Sequence, residues 1–180
     1  IVKKHAGLIE VQSAPGGGTT ARVWLPATEA SVAPPPPARP LGRRVTGPGR
    51  VLLMDDEEAI RILATRVLQH AGLETVTARD GEEAIREFEQ ARAAGRPFDL
   101  VILDLTIPRG MGGRETIIRL RALDPDVIAI VSSGYSGDPV LAHFRDHGFQ
   151  AMVPKPYRIE QLTETVTRLL AEARGLKLSS

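Results

Sequence analysis

From residue 50 onward the chain alternates short, nearly unbroken apolar runs with longer amphipathic stretches. Val51-Leu52-Leu53-Met54 ends at Asp55-Asp56, and Leu100-Val101-Ile102-Leu103 ends at Asp104. Val127-Ile128-Ala129-Ile130-Val131 runs into Ser132-Ser133-Gly134, and Ala151-Met152-Val153 into Pro154-Lys155-Pro156. Such runs, bounded by polar residues, read as strands buried on both faces. Glu74 to Ala78 is a fifth, shorter strand. Between them the apolar period becomes helical. Ile60, Leu63, Val67 and Leu68 share one face of a helix stopped by Gly72 in the C′ position. Asp80-Gly81-Glu82-Glu83 has the form of a capping box opening a helix with Ala84, Ile85 and Phe88. Further helices carry Ile117, Ile118 and Leu120, then Val140 to His147, then Leu162, Val166, Leu169 and Leu170. Five strands alternating with five helices predict an α/β fold, a doubly wound parallel sheet covered on both faces.

Upstream the pattern differs. Leu8-Ile9-Glu10-Val11-Gln12-Ser13 and Thr20-Ala21-Arg22-Val23-Trp24-Leu25 alternate around Gly16-Gly17-Gly18, which predicts a β-hairpin. Residues 27–49 hold Pro34-Pro35-Pro36-Pro37 and Arg39-Pro40, the composition of a semi-rigid spacer. The expected organisation is therefore 1–26, a linker at 27–49, a domain at 50–174 and a tail at 175–180.

Composition narrows the function. No apolar run approaches the roughly 18 residues needed to cross a bilayer, so no membrane segment is expected here, and a start at Ile1 is what a fragment of a longer chain would show. With no Cys, disulfides, thiolate metal sites and cysteine nucleophiles are excluded. The net charge of +1 hides a split: residues 1–50 hold 7 Lys and Arg against 2 Asp and Glu, the rest 16 against 20. The basic excess sits partly in Arg39, Arg43, Arg44 and Arg50 beside prolines, with no groove-reading motif, so no nucleic-acid partner is expected.

The polar residues fall where an open α/β sheet binds ligands, outside the carboxyl ends of its strands. With strand order 2-1-3-4-5 the first and third strands are neighbours, so Asp55, Asp56 and Asp104 converge, with Ser133 and Lys155 on the wall. Three carboxylates so close call for a cation. Mg²⁺ fits an all-oxygen site, whereas zinc would want Cys or clustered His. Each residue alone has an ordinary reading: an N-cap for Asp55-Asp56 or Asp104, a loop hydroxyl for Ser133, a surface charge for Lys155. Lys155 stands out because the chain has 4 Lys against 19 Arg, and only Lys155 and Lys177 follow residue 50. Their coincidence at one sheet edge favours function.

Leu53-Met54-Asp55-Asp56-Glu57, Val101-Ile102-Leu103-Asp104-Leu105-Thr106-Ile107-Pro108, Val131-Ser132-Ser133-Gly134 and Val153-Pro154-Lys155-Pro156 resemble the motifs of two-component receiver domains, over residues 50–172. The resemblance implies a flavodoxin-like fold with Asp104 as phosphoacceptor, taking a phosphoryl group from a phosphohistidine. It also implies Mg²⁺ on Asp55, Asp56, Asp104 and the Thr106 carbonyl, Ser133 swinging onto the phosphoryl group, Lys155 contacting it, and a cis Lys155-Pro156 bond. The implied partners are a histidine kinase and a histidine phosphotransfer protein, in the cytoplasm; a homodimer stays open.

Ile1 to Gly7, the hairpin, Gly16-Gly17-Gly18-Thr19 and Leu25-Pro26 resemble the end of a histidine-kinase ATP-binding domain, without the parts that would hold ATP. His5 there is structural. The whole resembles the C-terminal receiver of a hybrid sensor histidine kinase.

Three departures bear on mechanism. Met152 occupies the position of the family's switching aromatic, and a thioether has neither ring nor hydroxyl. The Pro108-Arg109-Gly110-Met111-Gly112 loop looks one residue longer than the commonest form. Tyr135, beside the site with Thr106, is expected to slow autodephosphorylation; a Tyr135→Ala variant with an unchanged phosphoryl lifetime would exclude that. Two rivals remain. An aspartyl-phosphate hydrolase of the haloacid-dehalogenase type wants a second acid two residues after the nucleophile, where this chain has Thr106. A phosphorylation-independent pseudo-receiver would not need the intact acid trio.

Overall fold

The computed structural model describes residues 2–27, 49–108, 110–134 and 142–175, apart from the side chain of Lys4. They form two compact units, one on either side of residues 28–48. The proline-rich segment, Arg109, Tyr135 and the tail beyond Gly175 lie outside the described residues.

In the first unit a single 3-10 turn at Val2–His5 stands where a helix end was expected. It leads into β1 (Leu8–Ala14) and β2 (Gly18–Trp24), antiparallel in register from Leu8↔Trp24 to Ala14↔Gly18. Gly16 and Gly18 have φ of +73° and +78°, which explains the glycine-rich turn. Facing pairs Ile9↔Val23 and Val11↔Ala21 put an apolar stripe on one side of the ribbon. Ile9, Val11 and Val23 nevertheless remain more than half exposed. Two strands alone cannot bury such a face.

The second unit is the α/β domain. Its strands are β3 (Gly49–Met54), β4 (Leu73–Ala78), β5 (Leu100–Asp104), β6 (Ala129–Ser133) and β7 (Ala151–Pro154). All pair in parallel, in the order β4-β3-β5-β6-β7, which is the expected 2-1-3-4-5. The helices are α1 (Glu58–His70), α2 (Gly81–Ala93), α3 (Gly113–Leu123) and α4 (Ile159–Ala173). Four α-helices, not five, thus occur among the described residues. The helix expected over 140–147 starts outside them, and its described part is helical only at Ala142. From His143 to Gly148 it tightens into turns with three-residue closures, such as the Asp146 N–H to the His143 carbonyl (2.9 Å).

Alternation along each strand splits the core into two layers. Leu52, Met54, Val101, Leu103 and Val131 pack with Phe88, Ile117 and Leu120 from α2 and α3. Val51, Leu53, Ile102, Ile130 and Val153 pack with Leu68, Leu162 and Val166 from α1 and α4. Burying each such side chain contributes about 1.5–3 kcal/mol, so the layers lock the strand ends into one edge.

Three local expectations need correction. Leu63 is 45% exposed; the inward face of α1 is Ala64, Val67 and Leu68, leaving Leu63 and Ile159 on a groove of about 280 Å³ between α1 and α4. Ile118 is likewise exposed, because α3 turns Ile117 and Leu120 inward. At the start of α2 the Asp80 carboxylate accepts from the Glu83 N–H (2.9 Å) as a cap should, but Glu83 reaches back to the Arg79 N–H (2.7 Å) instead of the cap residue's own.

Candidate functional site

Each strand of the inner sheet delivers its last residues to the same edge. Asp55 follows β3 and is fully buried. Its Oδ1 accepts from the Glu57 N–H (3.0 Å), while the Arg61 guanidinium, one turn into α1, donates to the carbonyls of Asp55 (2.7 Å) and Asp56 (2.9 Å). The β3–α1 bend is thus clamped from its own helix, with the Asp56 side chain left toward solvent.

Asp104 ends β5 and is 5% exposed. Its Oδ1 accepts from the Thr106 N–H (3.3 Å). The backbone there is fixed by close approach: a Cβ on Gly112 would stand 2.4 Å from the Leu105 carbonyl oxygen, and one on Gly113 2.7 Å from that of Asp104. Only glycine lets α3 begin so near the strand end.

Lys155 joins the acids. Its ammonium donates to Asp104 Oδ2 at 2.6 Å and forms an ion pair with Asp55 Oδ2 at 2.7 Å that lacks hydrogen-bond direction, so Asp55 Oδ2 stays buried without a hydrogen-bond donor. Burial pulls the Lys155 pKa down, but the two carboxylates, Asp104 before Asp55, outweigh it and hold the ammonium above its ordinary value. Asp104 is raised above the usual Asp range, chiefly by burial and further by the Asp55 charge, against the opposing pull of Lys155.

Carboxylate oxygens of Asp55, Asp56 and Asp104 all lie within 4.8 Å of one another. Three acids with one ammonium leave excess negative charge, and a buried carboxylate oxygen lacks a hydrogen bond. Hard oxygen donors and surplus charge fit a divalent cation of the Mg²⁺ type. The expected residues therefore do converge: Asp55, Asp56, Asp104 and Lys155 directly, with the Thr106 N–H on Asp104. Ser133 is buried on β6, the strand beside β5, and its carbonyl accepts from the Lys155 N–H (2.9 Å). Met152 packs, half-buried, against the core layer under α2 and α3. The Lys155–Pro156 bond is cis, as expected.

Two participants escaped the sequence reading. Arg61 looks like any exposed helix charge until its carbonyl partners are known. Tyr157 donates its hydroxyl to Ser132 Oγ (2.8 Å), and burial pushes that phenol up to about 12 despite the bond. Neither contact has a local spacing that would announce it.

The geometry agrees with what the chain is similar to. The model of the response regulator receiver domain matches residues 51–167. A sensor kinase CckA from Brucella abortus is 32% identical over 177 residues, covering 94% of this chain and 18% of the kinase. The chain thus spans under a fifth of that relative. The crystal structure of the receiver domain from hybrid histidine kinase CckA superposes with a TM-score of 0.55 at 32% identity, covering 68% of this chain and 99% of that one. The response regulator TrrA of Thermotoga maritima, solved with Mg²⁺-BeF, does so with a TM-score of 0.59 at 33% identity, covering 67% and 98%. Neither rival reading is favoured by these likenesses. Because the receiver-domain model matches more than half of the sequence and reaches all five strands of the sheet with the acid cluster at its edge, the chain belongs to the response regulator receiver domain family.

Proposed function

We propose that Asp104 accepts a phosphoryl group from a phosphohistidine, with Mg²⁺ held by Asp55, Asp56, Asp104 and the Thr106 carbonyl. The observation that carries this is the Lys155 ammonium, 2.6 and 2.7 Å from carboxylate oxygens of Asp104 and Asp55. It compensates buried charge and stands ready to hold a phosphoryl oxygen as a point charge.

In the transfer, a carboxylate oxygen of Asp104 forms the new P–O bond as the P–N bond to the donor imidazole breaks. The electron pair returns to the ring nitrogen, and the product is an acyl phosphate. Bound Mg²⁺ would neutralise charge on the phosphoryl oxygens and the acids. The Thr106 N–H and the clamped β3–α1 bend keep both acids fixed, so little reorganisation accompanies the reaction. Ser133 then turns its hydroxyl to the new phosphoryl group. Met152 cannot report that movement with a ring, so signalling leans on the Ser133 end of β6.

The parent protein is proposed to be a hybrid sensor histidine kinase, its donor that kinase and its acceptor a histidine phosphotransfer protein. The CckA likeness supports this because it extends over 94% of the chain, well beyond the receiver domain alone. The hairpin, with Ile9, Val11 and Val23 exposed, suits the end of an ATP-binding domain. No helix among the described residues is long and apolar enough to cross a membrane, and a cytoplasmic place for this segment follows from the kinase reading.

The proposal is tested with a phosphorylated histidine kinase carrying ³²P. Label should pass to this protein only with Mg²⁺ present and should be released by hydroxylamine; label that stays on the kinase contradicts it. A second prediction concerns Arg61. Arg61→Ala frees the carbonyls of Asp55 and Asp56 and should weaken Mg²⁺ binding about tenfold, as loss of outer-sphere support commonly does. Calorimetric titration checks this, and an unchanged affinity would show the clamp to be idle.

A further inference from the structure

Lys155 can bridge two carboxylates only if the chain around it is held still, because its side chain turns about four single bonds. Two ties fix that segment to β6. The Lys155 N–H donates to the Ser133 carbonyl (2.9 Å), and two residues on, the Tyr157 hydroxyl donates to Ser132 Oγ (2.8 Å). Pro156 between them has no N–H to offer. Lys155 is therefore bracketed by bonds to two consecutive residues of one strand.

Ser132 is fully buried, between Ile130–Val131 and the strand end, and it is the register partner of Asp104 across the β5–β6 ladder. A hydroxyl there costs stability unless it is partnered, and a phenol in an apolar layer carries the same requirement. Tyr157 packs against the layer under α1 and α4, so each group meets the other's need. Valine and phenylalanine would fill the same space without the requirement. What the polar pair adds is direction: it ties the lysine-bearing turn to the strand beside the proposed phosphoacceptor.

We propose that the Tyr157–Ser132 hydrogen bond sets the position of the Lys155 ammonium, making Tyr157 a positioning residue for phosphoryl uptake at Asp104. This rests on the function proposed above, and the experiment separates the two.

Wild type, Tyr157→Phe, Ser132→Ala and the double variant are compared in two readouts. The first is the rate of phosphoryl uptake from acetyl phosphate with Mg²⁺. Each single change should lower the maximal rate on the order of tenfold, as sub-ångström misplacement of a charged group can. The half-saturating donor concentration should stay unchanged, and the double variant should be no slower than either single one, because all three lack the same bond. The second is the ¹⁵N-resolved ammonium resonance of Lys155, one of four lysines, assigned by its loss in Lys155→Met. It should shift or broaden in both single variants. Additive rate losses, wild-type rates in the single variants, or an unmoved ammonium resonance would each overturn the positioning role. If wild type takes up no phosphoryl group, the function reading fails; the ammonium resonance then still decides whether the pair places Lys155.

Discussion

Lys155→Met is expected to cost the metal-free protein about 3 kcal/mol of unfolding free energy, the scale for removing one partner of a buried charge pair. Methionine keeps most of the stem's volume, so the loss is electrostatic rather than a cavity. Without the ammonium, Asp55 and Asp104 face each other in a buried site, and Asp55 Oδ2, already without a hydrogen bond, loses its counter-ion. Two consequences follow. Millimolar Mg²⁺ should restore more stability to the variant than it adds to wild type, since the cation supplies the missing charge and binds only the folded form. The difference between the proteins should also shrink in strong alkali. The folded pKa of Lys155 is raised above 10.5, so its contribution is complete below 10.5 and is lost as pH climbs through the folded value. Urea titrations with and without Mg²⁺ measure this. Equal midpoints for the two proteins without the ion would show that the ammonium is not balancing the acids.

Asp104→Asn should abolish phosphoryl uptake while leaving the domain at least as stable as wild type. The two halves rest on different physics. An amide oxygen is a poor nucleophile toward phosphorus and cannot form the acyl phosphate, so no residual reaction at this position is expected. The stability half follows from the raised pKa of Asp104, caused first by burial. A carboxyl raised above its unfolded value stabilises the fold fully below pH 3.8, and that contribution disappears as pH rises through the folded value. At neutral pH the ionised carboxylate is therefore a cost, which the amide removes, while Lys155 keeps its partner in Asp55. The pairing of inactivity with undiminished stability separates a chemical role from a structural one. An Asp104→Asn protein that unfolds earlier than wild type at pH 7 would contradict the second half.

The reach of sequence reading here follows from how each feature is encoded. Strands buried on both faces leave continuous apolar runs, so β5 and β6 announce themselves, and the polar residue that ends each run marks the sheet edge. Gly72 and Asp80 are legible because caps are single-residue devices with one backbone conformation each; Gly72 has φ of +88° and Asp80 caps α2. The direction of a helix face is less legible. Leu63 and Ala64 are neighbours with similar claims to the core, and the packing of α1 against the sheet decides for Ala64, while Leu63 faces the groove beside α4. Capping chemistry likewise fixed Asp80 but not the donor chosen by Glu83, since the Arg79 and Asp80 N–H groups lie one residue apart. Contacts between distant residues leave no spacing at all. Arg61 on the Asp55 and Asp56 carbonyls and Tyr157 on Ser132 exist only in the folded chain, although both bear on the residues that the motifs single out.

In the proposed function, three acids and one lysine, brought together by strand order, make Asp104 a phosphoryl acceptor. Its most direct test is intact-mass measurement after incubation with acetyl phosphate and Mg²⁺, followed by peptide mapping. One phosphoryl group should be gained, dependent on Mg²⁺ and carried by the peptide containing Asp104. No gain in wild type, or a gain that persists in Asp104→Asn, would contradict it.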